Sequence, residues 1–170
     1  EMKSTGEVMG IDSSFGMAFY KSQVAAGAAL PKSGKVFISV RNDDKRDIVF
    51  IAKKLSDMGF EIIATQGTSK VLRSNSINAQ AVSKINEGSL QIPELIRKNQ
   101  IGLIINTPSG KRDQPDMKYI RSLAVMHGVA CITTLQGAQA AVNGIESVLK
   151  SDFSVKPIQE YISESECTNA

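Results

Sequence analysis

Small hydroxyls, amides, glycines and lysines recur wherever a short apolar run of this chain breaks off. Ser39 stands at the end of "KVFISV", with Lys45 six residues on; "FEIIAT" runs into "TQGT", with Thr65 and Thr68. Lys84 closes "NAQAVSKI" and is followed by "NEG". "IGLIINT" runs into "NTPSGKR", with Asn106, Ser109, Gly110, Lys111 and Arg112, and "VACITT" ends in Thr133 and Thr134. Such a set suits a phosphate. Glycine lets the backbone approach, a hydroxyl adds a donor, a lysine adds a compact cation, and a helix N-terminus offers free N–H groups. Each charge-assisted hydrogen bond contributes about 1.5–3 kcal/mol, and the helix dipole about 0.3–1 kcal/mol. A few of them give an affinity on the order of micromolar once the entropic cost of association is met. Each corner also has an ordinary reading. Thr and Ser at helix starts are N-caps, lysines at strand ends are solvated, and "NTPSG" is rich in turn formers. Only convergence of the five corners on one edge makes a site.

The elements that must bring them together are short apolar runs alternating with helical patterns from Lys35 onward. Strands are expected over 35–40, 60–65, 78–85, 101–107 and 129–134. In "DIVFIAKKLSDMGF", Ile48, Ile51, Leu55 and Met58 recur at spacings of three and four, one face of a helix, and Gly59 supplies the stop. "QGTSKVLRSN" and "QIPELIRKN" read as short helices, "PDMKYIRSLAVMHG" as a helix between Pro115 and Gly128, and "LQGAQAAVNGIESVL" as the last long one. Near-continuous apolar strands alternating with helices imply a three-layer α/β fold. Its sheet would have about five mostly parallel strands, flanked by helices in the Rossmann-like manner. Ligands in such sheets bind outside the carboxyl ends of the strands, where all five corners fall. The first thirty residues stand apart. "SSFGMAFYKSQVAAGAAL" is helix-like and precedes the punctuation "PKSG", an arm before a domain of residues 31–170. "KPIQEYISESECTNA" reads as a short amphipathic turn and a loose tail.

Composition narrows the function. The chain has 170 residues, 42% hydrophobic and 22% charged, with net charge +3. That length supports one domain burying roughly 70% of its unfolded surface. So small a charge without a Lys/Arg block argues against nucleic acid. No apolar run approaches a membrane span, and the start lacks the apolar core of a signal peptide. Cys131 and Cys167 suggest neither a disulfide nor a zinc site, which fits a reducing cytoplasm. A chain opening on Glu1 reads as a piece of a longer protein. Catalytic arrangements are scarce. The one histidine, His127, sits beside Gly128 at a helix end, where it reads as a C-terminal partner of the helix on the far edge of the sheet. Asp43, Asp44, Glu87, Asp113 and Asp116 lie near the binding edge, as bases or as ordinary dipole partners. No metal-ligand spacing is present.

In order, "STGEVMG", "SVRNDDK", "TQGT", "KINEG", "INTPSGKR" and "ITTLQGA" resemble the carboxyl-terminal end of the large subunit of carbamoyl phosphate synthase, the glutamine-dependent bacterial type. The resemblance covers about residues 2–150 and rests on six motifs in register. It implies a methylglyoxal-synthase-like domain used for allosteric regulation in pyrimidine and arginine biosynthesis. Such a domain binds UMP as inhibitor and IMP as activator, with ornithine activating nearby. Carried over position by position, effector contacts fall on Ser39, Lys45, Thr65, Thr68, Lys84, Asn106, Lys111 and Asp116. The acids between Ser39 and Lys45 are expected to keep that loop solvated. Thr133 and Thr134 would be part of an ornithine site completed by the preceding domain. Residues 1–30 would be the tail of that ATP-grasp synthetase domain. The parent is an ATP-dependent ligase using ATP with Mg or Mn in its other parts, with a glutaminase small subunit and homo-oligomeric contacts. This fragment itself would hold no cofactor and do no catalysis. Pro108 stands where the enteric pattern has a second threonine, and Lys111 where it has arginine, which bears on the preferred nucleotide.

Three rival functions stand beside this reading, the first two of the same fold. Methylglyoxal synthase eliminates phosphate from dihydroxyacetone phosphate with an aspartate base. It resembles a form with "GGDQQ" after the third strand and a histidine in the first loop, whereas this chain has "KINEGSLQI" and "SVRNDDK" there. The motifs of a purine-cyclising domain of similar fold are missing too. The other rival, an oligomerisation module, is compatible with effector binding.

Overall fold

In a computed structural model the described residues are 6–83, 91–108 and 115–161. The elements are α1 (Phe15–Ala25), β1 (Lys35–Ser39), α2 (Ile48–Asp57), β2 (Glu61–Thr65), α3 (Gln66–Ser74), β3 (Ala79–Val82), α4 (Gln91–Arg97), β4 (Ile101–Asn106), α5 (Pro115–Met126), β5 (Ala130–Ile132) and α6 (Leu135–Lys150). A single 3-10 turn, Asn42–Lys45, links β1 to α2.

The five strands form one parallel sheet in the order β3-β2-β1-β4-β5. Strand residues alternate between two cores. Val36, Ile38, Ile62, Ala64, Leu103 and Ile105 meet α1, α2 and α6, while Phe37, Ile63, Ile101 and Ile104 meet α4 and α5. Both faces are covered, which is why the strands read as unbroken apolar runs rather than alternating ones. The direction in which successive strands are laid down reverses between β1 and β4. From β1 the chain passes through α2 to β2, and from β4 it passes through α5, on the opposite face, to β5. The gap outside the carboxyl ends of β1 and β4 is therefore the topological switch point, where open α/β sheets bind ligands.

Local chemistry sets the ends. On α2, Ile48, Ile51 and Leu55 are buried as their spacing requires; Met58 lies just past the last turn and only packs against the core edge. Gly59 (φ +87°) and Gly128 (φ +65°) take the left-handed conformation that ends α2 and α5. β5 is shorter than the run 129–134, because Thr133 and Thr134 leave the sheet for the start of α6. β3 lies within 78–85, of which 84 and 85 fall outside the described residues. Helix α1 is not detached. It lies against α6, and Met17, Tyr20 and Leu30 belong to the same buried cluster as α2 and the sheet. Among the described residues, no helix is long and apolar enough to cross a membrane.

Candidate functional site

The register places Ser39 opposite Asn106 at the carboxyl ends of β1 and β4. The Thr107 backbone N–H donates to the Ser39 carbonyl at 3.1 Å, and the Arg41 N–H donates to Thr107 Oγ1 at 3.0 Å. Those bonds tie the two loops of the switch point together. Asn106 is buried, and among the described residues its Nδ2 has no hydrogen-bond partner. A buried donor left unmet costs about 1–3 kcal/mol, so an acceptor within its reach would be favoured.

The β2 corner joins the first loop through Lys45. Its ammonium lies 2.9 Å from where a Cβ on Gly67 would stand, over the first turn of α3. Gly67 is the glycine of "TQGT", and no side chain there keeps the lysine away from the helix start. Thr65 holds the N-cap position of α3, yet its side chain makes no capping bond. Its hydroxyl donates instead to Thr68 Oγ1 at 3.2 Å, and Thr68 is buried. A cation at a helix N-terminus opposes the dipole by about 0.3–1 kcal/mol. Here an ammonium and the positive end of α3 face the same space, which favours an anion between them.

The sequence-predicted residues therefore divide. Ser39, Lys45, Thr65, Thr68 and Asn106 stand together along β2, β1 and β4. Asp116 is buried in the first turn of α5, which follows β4. Lys84 and Lys111 lie outside the described residues, as do Glu87, Ser109, Gly110, Arg112 and Asp113. Thr133 and Thr134 are exposed at the end of β5, and Thr134 is an ordinary N-cap whose Oγ1 accepts from the Gly137 N–H at 3.1 Å. His127 is exposed at the end of α5, on the opposite edge from these loops.

One expectation is corrected. The acids between Ser39 and Lys45 do not all keep the loop solvated. Asp43 is exposed, but Asp44 is buried and ion-paired to Arg41 Nε at 2.9 Å. An i,i+3 spacing from the N-cap into the 3-10 turn brings the two together, since residues three apart nearly eclipse in that geometry. Sequence reading also missed Gly67 and Thr107 as individuals. Gly67 was visible in "TQGT"; Thr107 carried no signal beyond its place after the fourth strand.

Helices, sheet order and site together define the class. Residues 47–133 match the family model described as "MGS-like domain", and the chain belongs to that family. Its fold is that of methylglyoxal synthase. The crystal structure of methylglyoxal synthase from Elizabethkingia anophelis superposes with a TM-score of 0.55, covering 78% of this chain and 92% of that one at 19% identity. Among curated proteins the chain is 54% identical over 166 residues to the carbamoyl phosphate synthase large chain of Archaeoglobus fulgidus, covering 97% of this chain. It is 52% identical over 161 residues to the carbamoyl phosphate synthase large chain, C-terminal section, of Methanocaldococcus jannaschii, covering 94%. The resemblance carried by the six motifs thus extends along nearly the whole chain. The chain spans 15% of the first relative's length and 26% of the second's.

Proposed function

We propose that this chain is the regulatory module of a carbamoyl phosphate synthase large chain and binds a nucleoside monophosphate, UMP or IMP, at the carboxyl edge of its sheet. The observation that carries the reading is the Lys45 ammonium over the uncapped first turn of α3. The phosphate takes the space they share, with Thr65 and Thr68 as hydroxyl donors. Ser39 and the unmet Asn106 amide lie at the switch point beside it and take the ribose side. Lys84, Lys111 and Asp116 complete the contacts. The module holds no cofactor of its own. ATP, its Mg or Mn, the glutaminase subunit and the contacts between large chains belong to the rest of the parent ligase, which acts in the cytoplasm in pyrimidine and arginine biosynthesis. Residues 1–30 belong to the end of the preceding synthetase domain. Effector binding controls a distant active site only through differential affinity for two states of the parent, typically about 1–3 kcal/mol of coupling.

The module by itself is not a catalyst and does not complete an ornithine site. Thr133 and Thr134 bring only hydroxyls, and the Thr134 oxygen already caps α6. An ammonium needs carboxylates to offset its lost hydration, and these come from the preceding domain.

Calorimetry tests the reading. UMP or IMP should bind at one site per chain, more weakly as salt rises, and Lys45→Ala should weaken it by roughly 1.5–3 kcal/mol. Ornithine should give no heat, and dihydroxyacetone phosphate should not be turned over. Absence of binding by any nucleoside monophosphate at millimolar concentration would refute the reading. Turnover of dihydroxyacetone phosphate that disappears in Asp43→Asn or Asp116→Asn would favour the methylglyoxal synthase alternative.

A further inference from the structure

A buried carboxylate loses its hydration and must find a partner. Asp44 finds Arg41, and Arg41 is gripped from its other side as well. From the carbonyl of Ser39 the bonds run to the backbone N–H of Thr107, from Thr107 Oγ1 to the Arg41 N–H, and from Arg41 Nε to Asp44 Oδ2. Thr107 and Asp44 are both buried. This path starts at the end of β1, crosses to β4, returns to the first loop, and ends one residue before Lys45. The turn it closes, Asn42–Lys45, has four residues. So short a 3-10 segment does not hold its shape alone. Arg41 is permanently charged, so it also neutralises Asp44 next to Lys45 in the chain.

We propose that Asp44 and Thr107 are positioning residues for anion binding, fixing the first loop so that the Lys45 ammonium stands over the first turn of α3 before any ligand arrives. The inference rests on the phosphate-binding reading above. A lysine side chain is rich in rotamers, and ordering it in advance removes part of the entropic cost of binding. Neither Asp44 nor Thr107 touches the ligand; both act through Lys45.

A double-mutant cycle separates this role from plain structural support. Affinity for the tighter of UMP and IMP is measured by calorimetry for the unaltered protein, Asp44→Asn, Thr107→Val, Lys45→Ala, and each positioning variant combined with Lys45→Ala. Asp44→Asn and Thr107→Val should each weaken binding about five- to tenfold alone. In the Lys45→Ala background each should change it by less than about twofold, because the group they position is gone. The slope of affinity against salt should fall in the single positioning variants as it does in Lys45→Ala. If Asp44→Asn prevents folding, Arg41→Ala breaks the Arg41–Asp44 link at a half-exposed side chain and takes its place in the cycle. Losses that add in full to that of Lys45→Ala overturn the proposal, as does undiminished affinity in the single variants. Failure of the unaltered protein to bind either nucleotide overturns the phosphate reading and this one with it.

Discussion

Gly16 of α1 meets α6 with no room for a side chain: a Cβ at this position would stand 2.7 Å from the backbone carbonyl oxygen of Asn143 and against the Ser147 hydroxyl. The two helices therefore touch nearly backbone to backbone. Close by, Gly144 of α6 faces the Gly16 carbonyl, Leu30 and Tyr20.

This contact predicts an asymmetry between two alanines. At Gly16 a methyl group forces the backbones apart, and overpacking costs about 1–3 kcal/mol. At Gly144 the nearest atoms would be 3.2 Å and 3.3 Å away, and mid-helix alanine regains about 1 kcal/mol over glycine. Gly16→Ala should lower the denaturation midpoint clearly, and Gly144→Ala much less. Equal midpoints for the two variants would show that α1 does not pack on α6 in this way.

A second prediction concerns acid and base. Asp12 lies 2.8 Å from the Lys21 ammonium, which also donates to the Tyr161 hydroxyl at 3.0 Å; that hydroxyl donates to the Ile11 carbonyl at 3.1 Å. Burial opposes both charges, yet the hydrogen bonds and the opposite charge outweigh it. Asp12 is held below the usual carboxylate range and Lys21 above the usual lysine range. A lowered carboxylate contributes stability present above its unfolded pKa and lost as pH falls through the folded one. A raised ammonium contributes stability present below its unfolded pKa and lost as pH rises through the folded one. The seam between residues 10–12, α1 and Tyr161 should thus be tightest between those two ranges. Amide exchange at residues 10–12 should speed up as pH falls through and below the usual carboxylate range, and Asp12→Asn should abolish that transition. Protection that does not vary with pH would count against the pair.

The thiol of Cys131 offers a third. It is half-buried on β5, and burial pushes its pKa up, partly opposed by the Arg121 charge. The thiolate is the reactive form. In a Cys167→Ser variant, which leaves one thiol, iodoacetamide at pH 8 should react at least about tenfold more slowly with folded protein than in urea. Equal rates in the two conditions would place Cys131 in open solvent.

Much of this was legible from neighbours along the chain. Ile48, Ile51 and Leu55 declared the buried face of α2, because helical spacing is a local rule. Gly59 and Gly128 declared helix ends, since a left-handed residue is cheapest as glycine. Unbroken apolar strands between helices declared a sheet covered on both faces. Hydroxyl and lysine corners declared a polar edge, although a single corner was always open to a plainer reading. Thr134 took that plainer reading as an N-cap, and Thr65 did not.

What the sequence by itself determined, then, was the set of elements, their alternation, and the polar character of one edge. These follow from periodicity, turn chemistry and side-chain type, all of which act within a few residues. Only the tertiary structure decided the strand order β3-β2-β1-β4-β5, and with it the switch point that sets Ser39 beside Asn106. Only the tertiary structure buried Asp44, joined Arg41 to Thr107 and laid α1 on α6. The reason is that each of these depends on closing a long loop. Arg41 and Thr107 are 66 residues apart in sequence. No local pattern encodes such a meeting; it exists because covering both faces of one parallel sheet leaves those two backbones nowhere else to go.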